Sequence, residues 1–419
     1  MAISKKRSYS KRSYNRNNKS LKGGRPVING LDLGPNIVFP DGFDFQKANL
    51  TDINLSRCTL IGANLSYCNL TKVNLKGAIL TGANLSCANL YECELENTNF
   101  ESANLTRANL EDCNLNSAKF LKSDLSGARI HFGGNDSGNY DIIFTEANLT
   151  GANLKRFSCL DNNFDNANLS NCNLEGAVFV GSSFKGANCT SVCLKNADFN
   201  MNNFTHDMRK SNRDYMNDLT HANFTDAVLT DADLTWCVFN STNFTRANLT
   251  DTNLSEDDLE DADFTDANLN RTKLVDAVLA GVNFTDVTFK NMELIEVDFT
   301  KAKFIRATLI DLNLLDSYLS ECDFSNATLL NVNLTNAVLT NAIFNSSNLI
   351  DVDFGASNLT NAVFNEAELY HVTFEDAILT GVDTKDLDLS DDDVDGDDDD
   401  DNDDDDNDDD GDHGDHGDD

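Results

Sequence analysis

Proline is almost absent from this chain, in which only three of 419 residues are proline. All three (Pro26, Pro35 and Pro40) lie close to the N-terminus. Proline has no backbone N–H and therefore interrupts a ladder of hydrogen bonds between strands. Its absence after residue 40 is what a long, unbroken β-structure requires.

Long apolar runs are also missing. No stretch approaches the ~18 apolar residues that are typical of a membrane-spanning helix. The N-terminus is basic but no apolar core follows it, which argues against a secretory signal. We therefore expect an intracellular, cytoplasmic protein without membrane contact, although the basic N-terminus could also act as a nuclear address.

Catalytic motifs are a third absence. The sequence has no Gly-rich phosphate loop, no HExxH and no GxSxG pattern. Cysteine pairs at the CxxC spacing of metal sites are missing too. The six histidines are scattered: His131, His206, His221, His371, His413 and His416. These observations predict a protein that is not an enzyme, with no catalytic residue and no cofactor.

What the chain does contain is a repeat of five residues. The unit is Ala, Asn or Asp, Leu or Phe, and two variable polar residues, and its large apolar member recurs without a break from Leu50 to Ile130. Five residues turn an α-helix by about 500°, so these side chains would not collect on one helix face. In extended chain, residues two apart share a side, so the small residue and the central Leu or Phe point inward together. A corner after each unit gives a four-sided coil of about 20 residues, stacked at ~4.8 Å.

This pattern resembles the pentapeptide-repeat proteins over about four-fifths of the chain. The resemblance implies an all-β fold, a right-handed quadrilateral β-helix (solenoid), which we expect to carry a disordered basic N-terminal tail and a disordered acidic C-terminal tail. The predicted division is a basic disordered head (1–26), an N-terminal cap (27–44), coils (45–130), a loop insertion (131–143), coils (144–204), a second loop insertion (205–218), coils (219–389) and a disordered poly-Asp tail (390–419).

The eleven cysteines fit the repeat better than a disulfide framework. Seven take the small inward position: Cys58, Cys68, Cys93, Cys113, Cys172, Cys237 and Cys322. Cys159 and Cys189 take the central apolar position. We expect reduced, structural thiols, as an intracellular compartment favours. Cys93 and Cys113 should stack on adjacent coils and are the one pair to test for a bond.

Asp257 departs from the pattern because it occupies a small inward position. Burying a lone carboxylate is costly. The sequence therefore favours a local bulge over residues 255–258 rather than an inward-facing acid.

Charge is distributed unevenly. Residues 1–30 hold nine basic and no acidic residues, whereas residues 391–419 hold twenty Asp and no Lys or Arg. The net charge of −38 therefore leaves −38 − 9 + 20 = −27 for the middle, mostly after residue 219. The basic head could bind nucleic acid, act as an address, pair with the Asp run or have no role.

Candidate interaction residues fall in two groups. The second insertion carries a basic cluster, although a neutral insertion is the alternative. The second half carries Trp236 and an acidic group. The candidates are His206, Arg209, Lys210, Arg213, Tyr215, Trp236, Glu256, Asp258, Asp261, Asp263 and Asp266.

Two DxDxDG runs in the Asp tail resemble the start of calcium loops. They comprise Asp391, Asp393, Asp395, Asp406, Asp408 and Asp410. In a poly-Asp segment such matches are nearly unavoidable, so we expect at most weak, diffuse binding of divalent cations by a solvated polyanion.

Three functions remain open at this stage. The first is a non-enzymatic scaffold, monomer or homodimer, that binds an unknown protein partner through walls, loops and tails. The second is a DNA mimic, because some relatives in the family, the quinolone-resistance proteins, occupy type II topoisomerases with an acidic rod. This chain departs from them in its length, its Asp tail and its lack of an apolar C-terminal segment. The third is a self-assembling structural protein.

Overall fold

The structure is a computed structural model, and it describes residues 27–28, 31–130, 139–199, 216–290, 292, 294 and 297–383. Within these ranges every regular element is a strand or an isolated β-bridge. The strands are β1 Val27–Ile28, β2 Leu31–Asp32, β3 Asn139–Tyr140, β4 Ser158–Leu160, β5 Val178–Val180, β6 Asn217–Asp218, β7 Cys237–Val238, β8 Thr288–Lys290, β9 Thr308–Asn313, β10 Thr328–Asn333, β11 Asn348–Asp353 and β12 Glu368–Tyr370.

The fold is a right-handed quadrilateral β-helix whose coils pair in parallel at a step of four repeats. Asn49 pairs with Asn69, and Asn69 pairs with Asn89. The N–H of each central residue donates to the carbonyl of the next coil, as Leu50 does to Asn69 at 2.8 Å. β8 to β12 form one sheet of five parallel strands in the second half. The sequence-based fold prediction is confirmed.

The corners explain the composition of the two variable positions. At each corner the residue after the turn donates its N–H to the preceding central residue, as Ile53 does to Leu50 at 3.2 Å. The residue before it has a positive φ, 60° at Asp52. Asn, Asp and Gly tolerate this left-handed region best, and the chain fills many corners with them.

The Asn of the repeat stabilises the same corner. Oδ1 of Asn49 accepts the N–H and the hydroxyl of Thr51, at 3.2 and 2.6 Å. Side chains of this kind replace a backbone acceptor within two residues. The recurring Asn-Leu-Thr triplets are therefore corner units, so their match to a glycosylation sequon needs no separate explanation.

The core consists of the central residues stacked in columns. Phe304, Phe324 and Phe344 stack with ring centroids 4.8 Å apart and planes within 4°. All three are buried. Burying one such side chain stabilises the fold by about 1.5–3 kcal/mol, and the solenoid repeats this contribution coil after coil.

The inward cysteines do more than fill space. Sγ of Cys93 donates to the carbonyl of Leu70 at 2.9 Å, and Sγ of Cys113 donates to Leu90 at 3.0 Å. Thr98 in the same position makes the same bond to Leu75. All eleven cysteines are free, so Cys93 and Cys113 stack without a disulfide.

The first coil begins earlier than the sequence suggests. Leu33 is already buried, and the N–H of Phe39 donates to Thr59 at 2.9 Å. Pro40 therefore lies inside a coil instead of before it. It is tolerated because it occupies a corner, where the ladder bonds come from Phe39 and Gly42 on either side.

Two coils are longer than the others. Asp124 pairs with Asn148, and Ser183 pairs with Asp218, so both steps exceed the usual four repeats. Both predicted insertions fall within these longer steps. Each insertion is shorter at its C-terminal side than expected, because β3 and β6 already belong to coils. Residues 131–138 and 200–215 lie outside the described residues.

Candidate interaction surface

One corner of the solenoid replaces its backbone hydrogen bonds by side-chain bonds. At this corner the N–H of Ile142 donates to Oδ1 of Asn162 at 2.8 Å, one coil further on. Ser182 and Cys237 donate in the same way to the next polar side chain. We call Asn162, Ser182, Asn217 and Asp257 the polar corner; all four are buried and stack in register.

Asn217 explains how the second insertion is accommodated. Its Oδ1 accepts the N–H of Ser182 at 2.9 Å. Its Nδ2 donates to the carbonyls of Phe179 and Phe199, at 3.3 and 2.9 Å. Phe199 is the last described residue before the second insertion, and the described chain resumes at residue 216, next to Asn217. One amide thus satisfies the backbone groups that an interrupted coil would leave unpaired.

Asp257 is the charged member of the polar corner, and the expected bulge at residues 255–258 is wrong. The corner at residues 255–256 is regular, and Asp257 points inward with 1% exposure. Its Oδ1 accepts the N–H of Cys237 at 2.8 Å, whereas Oδ2 has no partner among the described residues. Burial raises the pKa of this carboxyl well above its ordinary value, and Asp233 and Glu256 add to the rise. The irregular corner lies one coil earlier, at Cys237, because the backbone N–H of Cys237 donates to the carboxyl group of Asp257.

Trp236 sits on this distorted corner. It has a φ of 65°, which a bulky side chain rarely adopts. Its neighbour Thr235 is buried, and Trp236 itself is half-buried. The bond from Cys237 to Asp257 therefore fixes the backbone on which the only tryptophan of the chain is displayed.

The coil that contains Asp257 also presents six acidic side chains to solvent. We call these residues the acidic belt: Glu256, Asp258, Glu260, Asp261, Asp263 and Asp266. None of them forms an ion pair within the described residues. The sequence identified five of the six; Glu260 was missed, although it lies in the same coil.

Two acids near the belt, Asp226 and Asp251, are neutralised by arginines. Arg246 contacts Asp226 at 2.7 Å, and Arg271 contacts Asp251 at 2.5 Å, each across one coil. Hydrogen bonds from these arginines lower the pKa of Asp226 and Asp251. The belt therefore differs from these two paired acids in having no ion pair within the described residues.

Two belt residues are held by local bonds. Oδ1 of Asp263 accepts from the hydroxyl of Thr265 at 2.6 Å and from Nδ2 of Asn283 at 3.0 Å. Oδ1 of Asp258 accepts the N–H of Glu260 at 3.3 Å. Carboxylates fixed in this way lose less side-chain entropy when a partner binds.

Apolar side chains border the belt on the following coil. Val275 is 60% exposed and Val278 is 47% exposed. Val278 pairs with Asp258 in the parallel ladder, so apolar and acidic groups are adjacent. Sequence reasoning missed both valines. The signal was available, since Val278 takes the same repeat position as Asp258 exactly one coil later in the printed sequence.

The remaining predicted site residues cannot be placed. His206, Arg209, Lys210, Arg213, Tyr215 and the six Asp of the tail motifs lie outside the described residues. Among the described residues, no group of three or more His, Cys, Asp or Glu could hold a metal ion. No helix in that part of the chain is long and apolar enough to cross a membrane.

Comparison with known families agrees with the geometry. A family model described as a pentapeptide repeat region matches residues 53–132. A model for pentapeptide repeats (8 copies) matches residues 163–200, 218–256, 258–291, 279–314, 317–355 and 347–383. Together these ranges cover more than half of the chain. The chain belongs to the pentapeptide-repeat proteins.

Several solved pentapeptide-repeat structures are similar to it. HetL, a protein involved in heterocyst differentiation regulation in the cyanobacterium Nostoc, shares 20% identity; the match covers 62% of this chain and 91% of HetL, with a TM-score of 0.22. Rfr23 from the cyanobacterium Cyanothece shares 20% identity over 24% of this chain and 83% of Rfr23, with a TM-score of 0.19. QnrB1, a plasmid-mediated fluoroquinolone resistance protein, shares 17% identity over 46% of this chain and 91% of QnrB1, with a TM-score of 0.15. No curated protein matches the chain.

Membership of the pentapeptide-repeat proteins accounts for the coils but not for the acidic belt. The belt occupies outward positions: Asp258 and Asp263 take the Asn or Asp position of the repeat, and the other four acids take its two variable positions. The partner of the belt is therefore determined by the chemistry of the belt itself.

Proposed function

We propose that this protein is a non-enzymatic scaffold that binds a protein partner at the acidic belt. The observation that supports this most is the group of six outward carboxylates without ion pairs, beside the exposed Val275 and Val278. A partner that fits would present Lys or Arg residues around an apolar side chain. Such a surface gains charge complementarity at its rim and apolar burial at its centre.

Trp236 offers a direct test. It is the only tryptophan and lies one coil from Glu256, so its emission reports on the belt. A basic peptide with one leucine and no tryptophan should shift this emission on titration. Binding should weaken as salt rises above ~0.1 M, where the screening length falls below ~10 Å.

A matched pair of variants separates the belt from net charge. The triple variant Asp258→Asn, Asp261→Asn, Asp266→Asn removes three belt charges, and Asn suits the positive φ at 261 and 266. The control Asp311→Asn, Asp316→Asn, Glu321→Gln removes three exposed charges further along the rod. At about 0.5 kcal/mol per exposed charge, the belt variant should bind roughly tenfold more weakly. Equal weakening in both variants would show that only net charge matters, and the proposal would then fail.

Capture from the native source then identifies the partner. The full chain and both triple variants serve as baits. A partner retained by the full chain and by the control variant, but lost by the belt variant, is the expected result. If all three baits capture the same proteins equally, the belt is not the binding surface.

A DNA mimic is the second candidate, and the same unpaired carboxylates favour it. The arginine rungs Asp226–Arg246 and Asp251–Arg271 on the neighbouring coils interrupt the acidic wall, unlike the continuous charge of a duplex. A supercoiling assay with a type II topoisomerase distinguishes the DNA mimic from the scaffold. If the full chain inhibits the enzyme at micromolar concentration and the belt variant does not, the DNA-mimic hypothesis is supported and the scaffold hypothesis fails.

A further inference from the structure

The first and last coils of the described part of the chain differ in how far their core side chains are covered. In interior coils the central residues Leu349 and Phe354 are fully buried. In the last described coil Leu369, Phe374 and Leu379 are only partly buried. At the N-terminal end, by contrast, Phe39 and Phe45 are buried and cluster with the ring of Phe43 at 4.6–5.4 Å.

Within the described residues, this end also carries an unpaired strand edge. Phe354 and Leu359 donate their N–H groups to the following coil, to Thr373 and Ile378, both at 2.9 Å. The equivalent N–H groups of Phe374 and Leu379 have no acceptor among the described residues. Such an edge accepts an extended segment as an additional strand. We call residues 364–383 the open end.

The charge around the open end limits what can bind. Its exposed side chains include Glu366, Glu368, Glu375 and Asp376. The one basic side chain among residues 364–383 is His371, which already contacts Asp351 at 3.2 Å. Two copies meeting at this end would oppose identical carboxylates, which is unfavourable. The occupant must instead be an extended basic segment.

The head of this chain, residues 1–26, has that chemistry. It holds nine basic and no acidic residues. Tyr9 and Tyr14 are five residues apart, the same spacing as the central residues of the coils. Two large side chains at this spacing could cover two successive columns of central residues, such as those that end at Phe374 and Leu379.

We propose that the head of one copy binds the open end of a second copy as an added β-strand, so that copies join head to end. A head from the same copy is excluded on length. Phe45 and Phe364 lie in one column at opposite ends of the rod, and at ~20 residues and ~4.8 Å per coil their separation is roughly 70 Å. Tyr14 lies only twelve residues before the end of the head at residue 26. Twelve residues reach at most about 43 Å when fully extended, which is too short to place Tyr14 at the open end of its own copy. The head of a neighbouring copy has no such limit.

Sedimentation equilibrium of the full chain at ~0.1 M salt tests the proposal, since repulsion between the acidic rods is then largely screened. The expected result is a mass that rises with concentration above the 46.1 kDa monomer. Tyr9→Ser with Tyr14→Ser should raise the dissociation constant roughly tenfold or more, because apolar burial is lost. The control Tyr67→Ser with Tyr318→Ser, two exposed wall tyrosines, should leave it unchanged. A monomer at all concentrations, or equal effects of both variants, overturns the proposal.

Zero-length cross-linking in a mixture of ¹⁵N-labelled and unlabelled chains locates the contact. Lys5, Lys6 or Lys11 should join to Glu366, Glu368, Glu375 or Asp376 in pairs of mixed isotope. Head cross-links confined to the Asp tail, or confined to one copy, overturn it. Cross-links that join the open end only to residues 384–419 overturn it as well, since the following segment would then be the occupant.

Discussion

Asp257 holds Cys237 by a bond from the backbone N–H of Cys237 to Oδ1 of Asp257, 2.8 Å long and across one coil. At regular corners outside the polar corner the equivalent N–H bonds to a backbone carbonyl three residues earlier, as that of Ala262 does to Leu259. A buried carboxyl group has therefore taken over a backbone role. The stability of this corner should depend on the protonation of that group.

The first prediction concerns pH. Burial raises the pKa of Asp257 in the folded chain, whereas the unfolded value is about 3.9. The folded state therefore binds more protons between these two pKa values, and the free energy of unfolding falls as pH rises through that window. Below the unfolded pKa the stabilisation is complete. Urea titrations followed by Trp236 emission between pH 4 and 8 measure this decline.

Variants of Asp257 provide the control for that prediction. Asp257→Asn keeps an oxygen acceptor, as Asn162 and Asn217 do in the same column, and should remove the pH dependence. Asp257→Leu removes the acceptor and should cost about 1–3 kcal/mol at every pH. A decline with pH in Asp257→Asn equal to that of the unmodified chain would assign the effect to other groups.

The second prediction concerns thiol reactivity. Nine cysteines are buried, and burial raises the pKa of Cys159 and Cys172 to about 12. Only Cys87 and Cys193 are half-exposed. Because the thiolate is the reactive form, iodoacetamide should modify these two in the folded chain long before the others. Peptide mapping after short labelling checks the order.

The same labelling tests the pair Cys93 and Cys113. Their sulfurs donate to separate backbone carbonyls, so unfolding without a reductant should make all eleven cysteines reactive. Two fewer modified residues, restored by a reductant, would show that the pair is oxidised.

The third prediction concerns the aromatic column. Phe324→Ala removes a ring stacked on both sides, by Phe304 and Phe344, and should destabilise its coils by about 3–5 kcal/mol. Hydrogen exchange of the amides in the adjoining coils measures this local loss, since each coil of a solenoid contacts only its neighbours. Phe374→Ala at the open end should cost clearly less. Equal effects would contradict the difference in burial between the two sites.

The fourth prediction concerns Gly281, which borders the acidic belt. Its φ is 70°, and an added Cβ would collide with Oδ1 of Asp261. Gly281→Ala should therefore cost more than the ~1 kcal/mol strain of a positive φ and should displace Asp261. Gly82→Ala is the matched control, with a φ of 65° and open space at the Cβ position. Thermal unfolding compares the two, and equal losses would show that Asp261 moves away without cost.

Much of the fold was predictable because the repeat is local. The central residues, the inward small residues and the corners all follow from a spacing of five. The boundaries were less predictable: Phe39, Asn139 and Asn217 join coils although they lack the Ala-Asn-Leu signature, because a neighbouring coil supplies their hydrogen bonds. Asp257 was misjudged for the same reason, because the N–H that donates to its buried carboxyl group belongs to Cys237 on the preceding coil.

The amino-acid sequence by itself determined the coil, because each unit of five encodes its own corner and its own inward side chain. It also determined where charge lies along the chain. Only the tertiary structure decided which described carboxylates lack an ion pair, that Val278 borders Asp258, and that the core side chains of the last described coil are only partly buried. These properties depend on contacts between residues that are a full coil or more apart in the chain. The register of these contacts is set only when the coils stack on one another.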